Sequence, residues 1–377
     1  MAQDKLFNFS AGPAILPPEV FERAADAVRE LRGEAHAAGA AGIGLSILEI
    51  SHRSPEFTAI AERAIELCHS VLGIPESHEV MFLPGGASQQ FAMVPLNLRV
   101  EGKAAAFVDT GVWSQKAIRE SKLSQTTAVV ASSKASGYDH IPEIPELDPA
   151  AHSYLHLTTN NTIYGTEFAE IPSAGELPVV IDCSSHIGSR PMHLERVALG
   201  YAGAQKNLGP SGLTVVFADK QLLETRVPSD EVPHFFRYAT HASSQSMYNT
   251  PNTFGILVLM FVLEYMQAHG GVEGAGERNK AKADLLYAQL DASSIFTPVA
   301  KPGHRSQMNV SWTLGGVPEA EREAATKAFL ADATAEGLVG LKGHRSAGGC
   351  RASIYNAFPL EGVQKLVEFM AEYERKA

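Results

Sequence analysis

The chain has 377 residues, 45% of them hydrophobic and 19% charged, which is a globular composition with ample material for a core. With 42 acidic and 31 basic residues its formal charge is -11, which argues against nucleic acid or an anionic membrane as a partner. Three cysteines, Cys68, Cys183 and Cys350, are odd in number and far apart; they argue against a disulfide framework or a zinc site and fit a reducing cytoplasm.

In chain order, the first ten residues, MAQDKLFNFS, lack the apolar run of a secretory signal. Short segments rich in β-branched residues follow: EVMFL (79–83), AAAFVD (104–109), TAVVAS (127–132), SYLHLT (153–158), LPVVID (177–182) and LTVVFAD (213–219). Their continuous hydrophobicity predicts strands buried on both faces. Helical patterns stand between several of them, ASQQFAMVPLNL after the first and VWSQKAIRESK after the second. The alternation predicts an α/β fold with a mostly parallel sheet covered by helices. Near residue 250 the pattern changes. Thr250 reads as a helix N-cap with Pro251 in the first helical position. The apolar run FGILVLMFVLEYM (254–266) is too short for a bilayer and carries Glu264, so it predicts a buried helix. A charged helix near 273–291, a strand in QMNVSWTL (307–314), a helix within 318–337 and a last helix near 361–375 complete a smaller α+β unit. The expected division is a large domain over 16–262 and a small domain made of 1–15 with 263–377.

Ligands of open α/β sheets sit at the carboxyl ends of the strands, and three segments at such ends carry chemistry. FLPGGASQQF (82–91) runs strand, glycine turn, helix. Backbone N–H groups of Gly86, Ala87 and Ser88 would face outward at a helix N-terminus, a setting suited to phosphate. Glycine turns after strands are common, and this one is neither a Walker A loop nor G-x-G-x-x-G. VVIDCSSHIGSRP (179–191) ends a strand with Asp182, whose commonest role would be to cap the next turn. YAGAQKNLGPSG (201–212) sets Lys206 among glycines and small residues, where a ligand can approach closely. An aspartate and a lysine on adjacent strand ends can face one ligand from two sides. Pyridoxal 5′-phosphate needs that pair: an amine to form a Schiff base with its aldehyde, and a carboxylate to keep its pyridine nitrogen protonated.

Five motifs in order, NFSAGP (8–13), SHRSPEF (51–57), GGASQQF (85–91), GAQKNLGPSG (203–212) with Asp182 upstream, and GHRSAGGCRASIYNA (343–357), span nearly the whole chain. Together they resemble the phosphoserine aminotransferases, a family of fold-type I pyridoxal-phosphate enzymes. The resemblance implies a large domain on a mostly parallel seven-stranded sheet and a smaller α+β domain. It implies that Lys206 carries the cofactor, that Asp182 pairs with the pyridine nitrogen, that Trp113 stacks on the ring and that Thr162 bonds the ring hydroxyl. The cofactor phosphate would be held at Gly86, Ala87 and Ser88 with Gln205. Asn249 and Thr250 would reach it from a partner subunit, which implies a homodimer with shared active sites. Arg351 would bind the substrate α-carboxylate, and His52, Arg53, His344 and Arg345 would form the pocket for the substrate phosphate. From position alone, Trp113 could equally be a packing residue, Thr162 a turn residue, and Asn249 and Thr250 helix caps.

The implied reaction is reversible amino transfer between glutamate and 3-phosphohydroxypyruvate, giving phosphoserine and 2-oxoglutarate. Some members of the family also take the four-carbon homologue 3-hydroxy-2-oxo-4-phosphooxybutanoate, in pyridoxine synthesis. An alanine–glyoxylate or serine–pyruvate aminotransferase of the same fold is the alternative. It would keep Lys206, Asp182 and Arg351 but would have no use for Arg53 with His344 and Arg345. A desulfurase would need a mobile cysteine, which Cys350 inside a binding motif suits poorly. The dipeptide His-Arg also occurs at 304–305, where it reads as structural. Ser184, Ser185 and His186 are adjacent, but without G-x-S-x-G they do not read as a hydrolase. His69, His78, His140, His152, His156 and His193 show no metal-ligand spacing, and Cys183 is expected to be buried.

Overall fold

The computed structural model describes residues 6–376; the first five residues of the 1–15 segment, and Ala377, lie outside them. Seven strands form the central sheet: β1 (His78–Leu83), β2 (Ala104–Asp109), β3 (Thr127–Ser132), β4 (His152–Thr158), β5 (Val179–Asp182), β6 (Leu199–Gly203) and β7 (Thr214–Asp219). Their spatial order is β1-β7-β6-β5-β4-β2-β3. Neighbours are parallel except around β7, which runs antiparallel to both β1 and β6.

Successive side chains along a strand point to opposite faces, and the sheet feeds two apolar layers accordingly. Leu155, Leu157 and Ile181 pack with helices Pro55–Leu72 and Thr253–Ala268. Tyr154, Val180 and Tyr201 pack with helices Gly86–Leu98 and Val112–Ser121. Helix Thr253–Ala268 is buried without a break from Gly255 to Leu263, as expected of a helix apolar on every side. Each fully buried aliphatic side chain there contributes roughly 1.5–3 kcal/mol. Leu259, fully buried, would not tolerate a carboxylate.

That helix starts later than the sequence suggests. Its cap is Asn252, whose side chain accepts from the Gly255 N–H at 2.9 Å, and Thr250 lies outside it. The Asn252 amide is also tied to the Gly212 carbonyl at 3.2 Å, and this bond fixes the cap two residues beyond Thr250.

A second apolar core gathers Phe7, Phe9, Leu286, Trp312, Phe329 and Leu366. It is built from helices Gly271–Ala292, Glu319–Ala335 and Leu360–Lys376 around a three-stranded sheet that includes Asn309–Thr313 and Cys350–Ser353. Phe7–Asn8 joins it by pairing in parallel with Leu338–Val339. No single helix among the described residues is long and apolar enough to cross a membrane.

Candidate active site

Four strands of the central sheet end near one buried amine. Lys206 follows β6 and is 9% exposed. Its Nζ donates to Thr162 Oγ1 at 2.7 Å and stands 5.8 Å from the centre of the Trp113 ring. Burial pushes its proton affinity down to about 8; the Asp182 carboxylate opposes the shift and the Arg351 guanidinium adds to it.

Asp182 ends β5 and is equally sunk. Burial raises its pKa, while the Lys206 charge and hydrogen bonds from Ser184 pull it back. The Ser184 N–H and Oγ donate to Oδ1 at 3.0 and 2.6 Å, and Ser184 Oγ accepts the Gly203 N–H at 3.1 Å. One hydroxyl thus braces the acid against the strand that leads to the lysine. Among the described residues, Asp182 Oδ2 takes no hydrogen bond. Ser184 was missed from sequence; an aspartate bonding the backbone two residues on is the turn signature that could have found it.

Trp113 follows β2 on helix Val112–Ser121. The turn before it needs a glycine: at Gly111 (φ 146°) a Cβ would fall 2.3 Å from Asn161 Nδ2 and 2.8 Å from the Tyr164 ring. Asp109 accepts from Ser114 Oγ at 3.0 Å and from Tyr138 OH at 3.1 Å, which sets the start of the helix. Trp113 Nε1 is buried without a partner. Thr162 follows β4 in a hairpin closed by Asn160–Asn161 and Thr166–Glu167.

Arg351 comes from the second core, on strand Cys350–Ser353. Its Nη1 donates to the Thr162 carbonyl at 3.3 Å, and its Nε is buried without a partner. His344 lies on the loop before that strand. Burial lowers its pKa first, and the charges of Arg351, Arg345 and Lys116 lower it further, so four cationic or titratable groups crowd together. Lys116 was not singled out from sequence. Its Nζ stands 4.3 Å over the Trp113 ring, and its three-residue spacing from that tryptophan on one helix was the signal available.

Gly86, Ala87 and Ser88 open helix Gly86–Leu98 behind the left-handed Gly85 (φ 82°). Gln205 packs beside Gly12 and Gly203, whose added Cβ atoms would meet its side chain at 3.4 and 2.6 Å. Asn249 and Thr250 are exposed and line a small hollow with Leu83 and Pro84, just before the glycine turn. Arg53 is exposed, and His52 is half-buried with Nε2 unpartnered. Among the described residues no hydrogen bond, ion pair or ring contact joins His52, Arg53, Asn249 or Thr250 to the group around Lys206. His304–Arg305 is structural, as the sequence suggested: Arg305 donates to both Asp291 oxygens at 2.7 and 2.6 Å and lies 4.6 Å over the Tyr287 ring. Burial pushes the Cys350 thiol up to about 12 and Cys183 well above its ordinary value, so neither supplies a thiolate.

Residues 6–366 match the family described as aminotransferase class-V. A phosphoserine aminotransferase of Halalkalibacterium halodurans is 46% identical over 371 residues, 98% of either chain. Among solved structures, phosphoserine aminotransferase from Bacillus circulans subsp. alkalophilus is similar with a TM-score of 0.91 and 42% identity over 99% of both chains. PLP-bound phosphoserine aminotransferase from Trichomonas vaginalis is similar with a TM-score of 0.88 and 34% identity, over 97% of this chain and 100% of the other. A mostly parallel sheet with a buried lysine and aspartate on neighbouring strand ends, and full-length identity of this order, lead to one assignment: the chain belongs to the class-V aminotransferases, in the phosphoserine aminotransferase family.

Proposed function

We propose that this protein is a pyridoxal-phosphate enzyme that moves an amino group reversibly between glutamate and 3-phosphohydroxypyruvate, giving 2-oxoglutarate and phosphoserine. The observation that carries the reading is the buried Lys206 amine, 2.7 Å from Thr162, within the fields of Asp182 and Arg351. The residues present fit the cofactor. An amine of lowered proton affinity suits an aldehyde, the free Oδ2 of Asp182 suits a pyridinium N–H, and the Trp113 face suits a flat ring. Gly86, Ala87 and Ser88, with Gln205, would hold its phosphate at the helix N-terminus.

When bound, pyridoxal phosphate supplies an aldehyde that accepts the substrate amine and a protonated ring that draws off the electron pair left at Cα. The protein does the rest. Arg351 orients the amino acid by its α-carboxylate, through a fork whose Nε is still unpartnered. Lys206 Nζ, neutral in an appreciable fraction of molecules near pH 7, takes the proton from Cα as general base. Asp182, buried and braced by Ser184, stays close to the acceptor ring as its counter-charge. Trp113 keeps water from one side of the reacting atoms. His344 and Arg345, with His52 and Arg53, meet the far anion of the substrate, whether phosphate or the glutamate γ-carboxylate. Of these cations Arg351 has most need of an anionic ligand, since its Nε is buried without a partner and an unmatched buried charge costs several kcal/mol, roughly.

The assembly belongs to the same proposal. His52, Arg53, Asn249 and Thr250 have no partner in the site of their own chain, and exposed Leu45, Leu48 and Tyr248 lie near them in sequence. Two copies with shared sites would employ these residues, and a monomer by light scattering would argue against it. The proposed division is 16–262 against 1–15 with 263–377; Phe7, Phe9 and Ile15 in the second core support its first boundary, and helix Gly271–Ala292 carries the chain from the first core at Val272 to the second at Ala283 and Leu290. Three free, buried cysteines support a reducing cytoplasm.

The test is spectral. Glutamate should bleach the visible absorbance of the loaded protein, and 3-phosphohydroxypyruvate should restore it. Restoration by pyruvate or glyoxylate at equal concentration, and not by the phosphorylated ketoacid, would refute the substrate.

A further inference from the structure

Three asparagines outside the reacting group bind its parts to one another. Asn207 directly follows Lys206 and is 5% exposed. Its Nδ2 donates to the Ile187 carbonyl at 3.0 Å, in the segment that leaves Asp182. Its Oδ1 accepts the Asn356 backbone N–H at 3.0 Å, in the segment that leaves Arg351. The Asn356 side chain then donates to the Gly188 carbonyl at 2.8 Å and accepts from Asn279 Nδ2 at 2.8 Å. Asn279, fully buried on helix Gly271–Ala292, also donates to the Ser189 carbonyl at 2.8 Å.

An amide is the side chain this geometry calls for. Each of Asn207 and Asn356 donates and accepts at once, which neither a carboxylate nor an aliphatic can do. Three consecutive carbonyls, at Ile187, Gly188 and Ser189, each take one asparagine N–H. On its other side the 354–358 segment is caged by Lys282, whose Nζ donates to the carbonyls of Ile354, Tyr355 and Phe358 at 2.9, 2.6 and 3.0 Å. The segment that carries Arg351 out of its strand is therefore fixed to helix Gly271–Ala292 and, through Asn207, to the residue next to the reactive amine. Thr162 bridges the two groups directly, with Lys206 Nζ on its hydroxyl and Arg351 Nη1 on its carbonyl; Asn207 and Asn356, 149 residues apart in sequence, add a tie between the backbones that carry them.

We propose that Asn207, Asn356 and Asn279 form a latch that sets the Arg351 guanidinium at its working distance from Lys206, and so act as positioning residues for the amino-acid carboxylate. The inference rests on the proposed roles of Lys206 and Arg351. It adds that the distance between the two groups is held by side-chain amides and not by the packing of the two cores alone. Arg351 binds the carboxylate and is not itself a reacting group, so loosening it should weaken binding of every amino-acid substrate, with little change in kcat, well short of unfolding.

The test uses the cofactor-loaded protein. Asn356→Ala and Asn207→Ala should each raise KM for glutamate and for phosphoserine together, by about tenfold, with kcat changed by less than about threefold. Hydrogen exchange at the Asn356 amide should speed up in Asn207→Ala with and without cofactor, a readout independent of turnover. In an Arg351→Ala background the latch substitutions should add less than about twofold to KM, because the group they position is gone. Where Asn207→Ala does not fold, Asn356→Ser serves the same comparison. Raised KM in Arg351→Ala, alongside unchanged KM in the latch variants or effects that multiply in full, would overturn the latch alone. Unchanged KM in Arg351→Ala would overturn the carboxylate role and the latch with it.

Discussion

The lowered proton affinity of Lys206 can be measured directly. With a pKa of about 8, its amine is neutral in roughly a tenth of molecules at pH 7, against about 0.03% for an ordinary lysine near 10.5, a gain of about 300-fold in the reactive form. Competitive acetylation of the cofactor-free protein from pH 6 to 11, read by peptide mass spectrometry, should give a midpoint near 8 at this residue. Removing the opposing carboxylate by Asp182→Asn should move the midpoint further down, because that charge raises it; Arg351→Gln should move it up, because that charge lowers it. The same shift has a stability counterpart. The folded value lies below the unfolded one, so between about pH 8 and 10.5 the unfolded chain binds more protons, and this group's contribution to stability rises with pH by roughly 3 kcal/mol. Lys206→Met should lack that rise. A midpoint near 10.5, or an upward move in Asp182→Asn, would refute the burial argument.

Three further outcomes are expected. Ser184→Ala removes the 2.6 Å bond that braces Asp182 and lets the acid's pKa rise further; cofactor affinity by equilibrium dialysis should fall about tenfold, and an unchanged affinity would count against the brace. Lys282→Met takes a donor from the carbonyls of Ile354, Tyr355 and Phe358 at once, Tyr355 keeping the Phe358 N–H at 2.9 Å; stability should drop by roughly 3 kcal/mol, seen as a lower Tm in calorimetry, and an unmoved Tm would show the cage to be idle. Arg345→Ala should reduce kcat/KM for phosphoserine more than for alanine, and equal loss would favour a smaller substrate.

Six sheet strands were legible because each is a short, largely apolar run with β-branched or aromatic residues in it. The seventh, Leu199–Gly203, was read only as a strand end before Lys206, without bounds, because its sequence LGYAG carries two glycines. The structure supplies the reason for one of them, since a Cβ on Gly200 would sit 2.1 Å from the Phe217 ring of the neighbouring strand. The reversed direction of Thr214–Asp219 left no trace in a pattern that reports only burial. Within the site, Lys206 and Asp182 were visible because chemistry restricts the residue type and motif context restricts the place. Ser184 and Asn207 were hidden for the opposite reason. A serine or an asparagine near a turn has many local uses, and Asn207's partner at Asn356 becomes apparent only when two cores have been folded against each other.

Arg351 sits between Cys350 and Ala352, both of which plug into the second core, while its own head is pinned to the Thr162 carbonyl. A free arginine surrenders about 2 kcal/mol of rotamer freedom on being captured; here the bond from Nη1 to the Thr162 carbonyl takes up part of that freedom before a ligand arrives. On the role proposed for Arg351, an incoming amino acid would meet a rigid fork, not a tethered charge. Recognition then depends on the angle at which the carboxylate is presented relative to the Cα–H bond. The two mirror-image forms of one amino acid, identical in charge and size, would then be told apart, because the wrong hand cannot present its carboxylate to Arg351, its amine to the cofactor and its Cα–H to Lys206 at once.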